Sequence, residues 1–261
     1  MRLCTFNVNS ARKRAPHLAR LLRRHEPDLV FLQELKCRTE EFPAAEFEAM
    51  GYRVRAVGQP GGRNGVAVLG RIDFEVVGEE LPELPEPPEA ADDHARFIEI
   101  RAAGLNAVGI YLPNGNSGGA AGYRYKLRWM ERLRAVAAER LDSFTPLAIL
   151  GDFNVCPTDE DFAPGGMSPT DALVRPESRA AFRGLTNLGL TDAMRALHPR
   201  ERLYTYWDYG PAFEQNRGLR IDHALLSAEL AERLTACHVD QEARSEESPS
   251  DHAPVLFDLR D

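Results

Sequence analysis

The chain has 261 residues, of which 43% are hydrophobic and 28% charged, so it can bury one large core and is not disordered throughout. Its net charge of −8 argues at first against a polyanionic partner. No apolar run approaches the roughly 20 residues of a membrane span, which excludes a membrane-spanning protein.

The predicted elements are short apolar strands separated by turns, with a few long amphipathic helices between them. Strands are predicted over 3–8, 28–33, 52–57, 65–69, 74–77, 96–101, 105–112, 147–150, 218–226 and 254–259, and helices over 16–25, 123–140 and 177–188. Strands 52–57 and 65–69 are joined by Gly, Pro and Asn residues with no room for a helix, so the sheets must be mixed. We therefore expect an α+β fold in which two packed mixed sheets are flanked by helices, forming one domain over residues 1–261.

The charge is unevenly distributed along the chain. Residues 79–93 contain seven acids, no base and several prolines, and without those acids the net charge would be −1. We expect this stretch to be an exposed loop that is remote from any DNA. Two basic clusters stand out elsewhere: Arg12, Lys13, Arg14, Arg20, Arg23 and Arg24, and Arg124, Lys126, Arg128, Arg132 and Arg134. Local patches of this kind allow DNA binding, although solvated helix faces are the alternative interpretation.

The chain begins with a strand rather than an apolar signal segment, which favours a cytoplasmic location. Its four cysteines are far apart in the sequence and contain no Cys-x-x-Cys pair. A disulfide framework and a zinc site are therefore both disfavoured.

Polar residues recur at or just beyond the predicted strand ends. They are Asn7, Glu34, Tyr111, Asp152, Asn154, Asp222, Asp251 and His252. If these ends lie on one edge of the packed sheets, the side chains converge on one site held by a rigid scaffold.

Such a site has the groups that phosphodiester hydrolysis requires. Glu34 and Asp251 are hard oxygen ligands that suit Mg²⁺ or Mn²⁺ better than zinc, with Asn7 as a neutral third. Asp152 and Asn154, two apart on extended chain, would point to the same side and hold a water. His252 beside Asp222 would form an Asp–His pair. Singly, these features have ordinary interpretations, such as an Asx turn, a cap or a surface histidine, and only the ordered set indicates catalysis.

The order and spelling of seven motifs give the chain a family resemblance. They are FNVN at 6–9, LQELK at 32–36, YLPNG at 111–115, GDFNVCPTD at 151–159, YTYWDY at 204–209, NRGLRID at 216–222 and PSDHAP at 249–254. The chain resembles the bacterial exonuclease III family of class II abasic-site endonucleases, within the DNase I-like superfamily.

This resemblance implies a four-layer αββα sandwich and a role for each matching residue. Glu34 would be the main metal ligand, with Asn7, Asp251, Asp152 and Asn154 contributing. Asp152 would orient or activate water, while Asn154, Tyr111 and His252 contact the scissile phosphate, Asp222 holds His252, and Asn114 supports the phosphate region. The pocket for a flipped-out baseless sugar would comprise Tyr206, Leu219 and Ile221, with Trp207 beneath it, and Arg217 and Arg220 would also contact DNA.

The implied enzyme uses Mg²⁺ or Mn²⁺ to hydrolyse the phosphodiester 5′ to an abasic site. It also acts as a 3′-to-5′ exonuclease on duplex DNA and removes blocked 3′ ends. We expect the chain to be a monomer by default. Ser10 and Ser248 depart from the residues that the family often has at these places. Two alternatives stay open: another DNase I-like phosphodiesterase, acting on phosphoinositides or sphingomyelin, and a DNA-binding relative that has lost catalysis.

Overall fold

The computed structural model describes residues 1–84 and 94–260. Within them, the strands are β1 (Arg2–Asn7), β2 (Leu29–Gln33), β3 (Arg53–Val57), β4 (Val66–Gly70), β5 (Glu75–Gly78), β6 (Phe97–Ala102), β7 (Leu105–Tyr111), β8 (Leu147–Asp152), β9 (Thr191–Asp192), β10 (Asp222–Leu226), β11 (Leu234–Val239) and β12 (Val255–Leu259). The helices are α1 (Ala11–His25), α2 (Ala44–Glu48), α3 (Gly119–Asp142), α4 (Pro176–Thr186), α5 (Ala193–Leu197) and α6 (Ala228–Arg233).

The strands form two six-stranded sheets, ordered β11-β12-β1-β2-β4-β3 and β5-β6-β7-β8-β10-β9. Both sheets are mixed, because β1–β2 and β7–β8 are parallel pairs among antiparallel ones. The predicted strand pair at 52–57 and 65–69 is the antiparallel pair β3–β4. The predicted fold, two packed mixed sheets flanked by helices, is confirmed.

The core is divided into layers by the two sheets. Between the sheets lies a cluster that includes Phe31 from one sheet and Leu150 from the other, both fully buried. Gly109 leaves room for the Phe31 ring, since a Cβ there would lie 2.5 Å from Phe31 Cδ1. Separate apolar clusters pack α1 on the outer face of the first sheet and α3 with α4 on that of the second. Burial of this extent is the main stabilising contribution to the fold.

Several predicted boundaries differ from the structure. Helix α1 begins at Ala11 rather than at residue 16, so Pro16 lies inside it. The strand predicted over 218–226 begins only at Asp222, because Arg220 turns into the protein and makes ion pairs there. Strands β9 and β11 and the short helices α2, α5 and α6 were not predicted.

The two basic clusters do not form two open patches, which corrects the sequence interpretation. Arg14, Lys126 and Arg132 are buried, with side chains that donate to backbone carbonyls inside the protein. Only part of each cluster is therefore available to a ligand. In the acidic stretch, Glu79 pairs with Arg55 and Glu83 with Arg132, while Leu81 is buried against the core rather than exposed. Residues 85–93 lie outside the described residues, so the predicted remoteness of the stretch from DNA stays a prediction.

No helix in the described ranges combines the length and apolar composition needed to cross a bilayer. The cysteines are all free and buried.

Candidate active site

Strand register gathers the predicted site residues at one edge of the packed sheets. In the second sheet, Tyr111 of β7 is opposite Asp152 of β8, which in turn is opposite Asp222 of β10. In the first sheet, Asn7 is opposite Gln33, the residue before Glu34. Because all these positions are strand ends, rigid backbone fixes where each side chain starts. The predicted convergence of the strand ends on one edge is therefore what the structure shows.

Glu34 and Asp152 face each other across the two sheets and share one amide. Asn7 Nδ2 donates to Glu34 Oε1 at 2.9 Å and to Asp152 Oδ2 at 3.0 Å. Asn7 Oδ1 accepts from the Asn9 backbone N–H at 3.1 Å. In this orientation Asn7 gives the site N–H groups rather than an oxygen, which differs from its predicted ligand role. Glu34 itself has a left-handed φ of 53°, a strained conformation of the kind that is common at functional sites.

A loop of amides follows Asp152. Asn154 has a φ of 48°, so the chain is not extended there. The prediction that Asp152 and Asn154 point to the same side of an extended chain is therefore wrong. The two are nevertheless joined, because the Asn154 N–H donates to Asp152 Oδ1 at 2.9 Å. Asn154 Oδ1 accepts from Asn114 Nδ2 at 2.9 Å, and Asn154 Nδ2 donates to the Leu112 carbonyl at 2.9 Å. With both ends of its amide in use, Asn154 has no oxygen directed at the carboxylates, which again differs from a ligand role.

His252 is buried between two carboxylates. Its Nδ1 donates to Asp222 Oδ2 at 2.8 Å, and its Nε2 lies 3.9 Å from Asp152 Oδ2. Burial lowers the pKa of His252, but Asp222 and Asp152 outweigh it and raise the pKa well above its ordinary value. The two carboxylates therefore favour the protonated ring, whose Nε2–H can donate to a phosphate oxygen. The predicted Asp222–His252 pair is formed in the structure.

Burial and neighbouring charge also act on three other groups of the site. Burial raises the pKa of Asp152, and the carboxylates of Asp222 and Glu34 add to this against the opposing effect of His252. Burial, Glu34 and Asp152 raise the pKa of Tyr111, which keeps it a phenol that can donate. Burial raises the pKa of Glu34 too, but hydrogen bonds from Lys36 and Asn7 bring it below its ordinary value. A carboxylate that accepts protons readily thus lies beside one that stays charged.

A metal ion fits the donor set at this place. Ligand atoms of Glu34, Asp152 and His252 lie within 4.8 Å of one another, close enough to hold one metal ion together. A protonated His252 ring cannot bind a metal, so the ligands in this group would be the two carboxylates, which are hard oxygen donors. Asp251 lines the same cavity, but its Oδ1 accepts from Asn9 Nδ2 at 2.9 Å and its carboxylate lies outside the group.

The carboxylates open into a cavity of about 340 Å³ with one apolar wall. That wall contains the predicted pocket residues Tyr206, Leu219 and Ile221. The Tyr206 ring packs edge-on against His252 with centroids 5.0 Å apart, and Trp207 is fully buried in a neighbouring cluster. The polar groups and the apolar pocket are therefore adjacent. A larger groove of about 650 Å³ lies between residues of β3 and β5, away from these groups.

The two predicted DNA-contacting arginines differ in exposure. Arg217 is exposed and can reach a ligand. Arg220 is fully buried and forms ion pairs with Asp161 at 2.7 Å and Asp192 at 2.8 Å. The prediction that Arg220 contacts DNA is therefore wrong. Its guanidinium instead joins the loop before α4 to the end of the second sheet.

Several residues that shape the site were missed from the sequence. Lys36 Nζ lies 2.7 Å from Glu34 Oε2 and donates to Asn9 Oδ1 at 2.6 Å. Met167 and Leu173 line the cavity together with Asn116 and Asp171. The lysine two residues after Glu34 was a usable signal, but these wall residues come from two separate loops whose sequences have no periodic pattern.

Comparison with known proteins identifies the family. The sequence matches the Endonuclease/Exonuclease/phosphatase family over residues 4–252. The chain belongs to this family. It is similar to exodeoxyribonuclease III of Haemophilus influenzae, with 33% identity over 273 residues that cover 100% of both chains.

Two solved members of this family share the structure closely. A 3′ phosphatase from Neisseria, bound to a product DNA hairpin, has a TM-score of 0.92 and 36% identity, with 100% of this chain and 99% of that chain covered. An AP endonuclease from Archaeoglobus fulgidus has a TM-score of 0.91 and 33% identity, with 100% of both chains covered. The predicted resemblance to the exonuclease III family, and with it the prediction of a nuclease, is confirmed.

Proposed function

We propose that the protein is a DNA repair nuclease that hydrolyses the phosphodiester 5′ to an abasic site. The same site would remove nucleotides from the 3′ ends of duplex DNA and clear 3′-phosphate and sugar-fragment blocks. One observation carries the proposal: the group of Glu34, Asp152 and His252 opens directly onto the apolar pocket of Tyr206, Leu219 and Ile221. The relatives that are an exodeoxyribonuclease III, a 3′ phosphatase and an AP endonuclease support this range of reactions.

Each side chain has a task in the proposed reaction. Asp152, whose pKa is raised, accepts a proton from the attacking water or orients it. The Nε2–H of His252 and the hydroxyl of Tyr111 donate to the phosphate oxygens as negative charge develops there. Asn154 and Asn114, bonded to each other at 2.9 Å, form the wall beside that phosphate. Asp222 fixes the His252 ring, so these donors need little rearrangement when the substrate binds.

We propose Mg²⁺ or Mn²⁺ as the ion, held mainly by Glu34, with Asp152 beside it to act on the water. When bound, such an ion polarises the phosphate and offsets the charge that develops in the transition state. Asn7 and Lys36, which donate to these carboxylates, keep them in place in the protein alone.

Specificity would come from the shape and flexibility of the DNA rather than from base edges. A pocket bounded by Tyr206, Leu219 and Ile221 accepts a sugar without a base and excludes an intact nucleotide by size. Arg217, which is exposed, would contact the DNA backbone. We further propose that the chain is one catalytic domain, which the core shared by the two sheets supports, and that it acts as a monomer.

The test is cleavage of four substrates with Mg²⁺ present. They are a duplex with one abasic-site analogue, an undamaged duplex, a duplex with a 3′-phosphate, and a phosphoinositide. We expect incision 5′ to the analogue, removal of the 3′-phosphate, slower shortening of the undamaged duplex, and no reaction with the lipid. Cleavage of the phosphoinositide in preference to DNA would establish the lipid phosphodiesterase alternative. Binding of the abasic duplex without cleavage would establish the inactive alternative.

A further inference from the structure

Lys126 is a fully buried lysine in the second turn of α3, beside the active site. Its Nζ donates to the backbone carbonyls of Asn114 at 3.0 Å, Asn154 at 2.6 Å and Ala172 at 3.2 Å. Moving an ammonium out of water costs several kcal/mol unless its hydrogen bonds are replaced. Three N–H donors here meet three carbonyl acceptors, so the protein replaces the bonds that water made.

The three carbonyls belong to three different loops, and each loop contributes a residue to the cavity. Asn114 and Asn154 line it themselves, and Ala172 precedes the cavity residue Leu173. The first and third loops are also joined directly, since Asn116 Oδ1 accepts from the Ala172 N–H at 2.9 Å. Lys126 therefore joins the loops of Asn114 and Asn154, on one side of the cavity, to the loop of Leu173 on the other side.

Packing around Lys126 is tight. A Cβ at Gly115 would lie 2.6 Å from Lys126 Cδ and 3.1 Å from Ala172 Cβ, and Gly115 has a φ of 87°. The turn after Asn114 thus closes on the lysine side chain with no room for another methyl group. Loop positions fixed in this way change little when a substrate enters.

We propose that Lys126 is a positioning residue, which sets the spacing between the phosphate-facing asparagines and the Leu173 wall of the cavity. This inference rests on the proposed function of the site. The simpler alternative is that Lys126 only stabilises the fold. The same helix offers a matched control in Arg132, which is buried and donates to the carbonyls of Leu81 and Pro82 on the far side from the asparagines.

The experiment compares Lys126→Met with Arg132→Met in the full-length protein. Both variants remove a buried cation from α3, so both should lower the free energy of unfolding in urea. Only Lys126→Met should lower kcat per folded molecule on an abasic duplex, by at least about 30-fold, because small misplacements of reacting groups are costly. Its KM should change by less than about threefold, since it touches no DNA. Arg132→Met should keep its kcat within about twofold of the parent protein.

Gly115→Ala tests the same contact without removing a buried charge. Its added methyl group pushes the turn away from Lys126 and places a Cβ at a φ of 87°, so both kcat per folded molecule and the free energy of unfolding should fall. Hydrogen exchange provides a readout without substrate: residues 113–117 and 171–174 should exchange faster in Lys126→Met and not in Arg132→Met.

The outcomes distinguish the positioning role of Lys126 from the proposed nuclease function. Equal kcat values for Lys126→Met and Arg132→Met, together with unchanged exchange at 113–117 and 171–174, would overturn the positioning role. A parent protein that leaves the abasic duplex intact would overturn the proposed function instead, while the exchange data would still decide whether Lys126 orders the loops.

Discussion

At the scale of single residues, the active site is built at the expense of stability. Asp152 is almost completely buried, and its carboxylate lies near those of Glu34 and Asp222. Burial away from water disfavours the charged form, and repulsion from Asp222 and Glu34 adds to this effect, which is why the pKa of Asp152 is raised. The fold holds Asp152 there only because the Asn154 and Asn7 N–H groups donate to it. A residue kept in an unfavourable charge state by its surroundings is expected to matter for chemistry.

Replacing Asp152 by Asn separates these two effects. The amide keeps an oxygen that can accept from the Asn154 N–H, but it removes one of the neighbouring negative charges. Cleavage of an abasic duplex should fall by about 10³-fold or more, as expected when a general base is lost. The free energy of unfolding should stay the same or rise, measured in urea at pH 7. Near-normal turnover by a folded variant would refute the role given to Asp152.

Ser10 is a second strained residue, at the start of α1. It has a φ of 94° and a ψ of 102°, and its side chain makes no capping hydrogen bond to the helix. Such a conformation costs a residue with a Cβ roughly 1–3 kcal/mol, whereas glycine adopts it freely. Ser10→Gly should therefore stabilise the protein by about 1 kcal/mol, after allowing for the greater freedom of glycine in the unfolded chain. Ser10→Ala, which keeps the Cβ, is the control and should give no such gain in thermal unfolding.

At the scale of elements, the strands that reach the active site were the easiest to predict. Asn7, Tyr111 and Asp152 each end a continuous apolar segment, so both the strand and its polar end are visible in the sequence. Strand β11 was missed because residues such as the half-buried Ala236 have little β-propensity, so the strand depends on pairing with β12. The contacts of Lys36 and Lys126 could not be predicted either, because their partners come from separate loops.

Arg220 shows how tertiary contacts override a local pattern. The sequence around it predicts a strand and an arginine that contacts DNA, but the buried Asp161 and the partly buried Asp192 pair with the side chain inside the protein. His223 completes this network: its Nδ1 accepts from Arg220 Nη1 at 3.0 Å, and its Nε2–H donates to the Val155 carbonyl at 2.9 Å. These two bonds require a neutral ring, and burial together with Arg220 lowers the pKa of His223 to about 4.

His223 should therefore make the fold sensitive to mild acid. As the pH falls from 6.5 to 4, the unfolded chain binds a proton at this residue and the folded protein does not, so stability decreases across that window. The shift corresponds to a loss of about 3 kcal/mol once the pH is below 4. His223→Gln can replace both hydrogen bonds without titrating. Urea unfolding between pH 4 and 7 should show a flatter profile for the variant, and parallel profiles would remove His223 as the cause.

At the scale of the whole molecule, the active site is a cluster of carboxylates whose negative charge a bound cation would neutralise. An ion that binds the folded protein but not the unfolded chain stabilises the fold, and at concentrations well above its Kd the free energy of unfolding rises with the logarithm of the ion concentration. Mg²⁺ or Mn²⁺ should therefore raise the melting temperature, and Glu34→Gln should reduce the increase. Chelator should stop cleavage, and adding back Mg²⁺ or Mn²⁺ should restore it. Cleavage that continues in chelator would show that the reaction needs no metal.

The net charge of −8 should repel a polyanion such as DNA, unless the acids responsible lie away from the DNA-binding surface. Seven of the protein's acids lie in residues 79–93, and Glu79 and Glu83 are already paired with Arg55 and Arg132. Charges separated by more than roughly 8 Å are largely screened at physiological salt, but at 0.01 M the range grows to roughly 30 Å. The effect of the other acids of this stretch on DNA binding should therefore depend on salt concentration, and the form of that dependence reports how far they lie from the DNA.

The variant that tests this replaces Glu86, Glu89, Asp92 and Asp93 by their amides. If the stretch is remote from the DNA, the Kd for an abasic duplex should change by less than about threefold at 0.15 M salt. At 0.01 M salt the variant should bind more tightly, because long-range repulsion is then felt. Fluorescence anisotropy over a salt series, with Arg217→Ala as a variant that should weaken binding, measures both effects. Binding that tightens about tenfold at 0.15 M salt would mean that these acids lie against the DNA and weaken its binding by short-range repulsion.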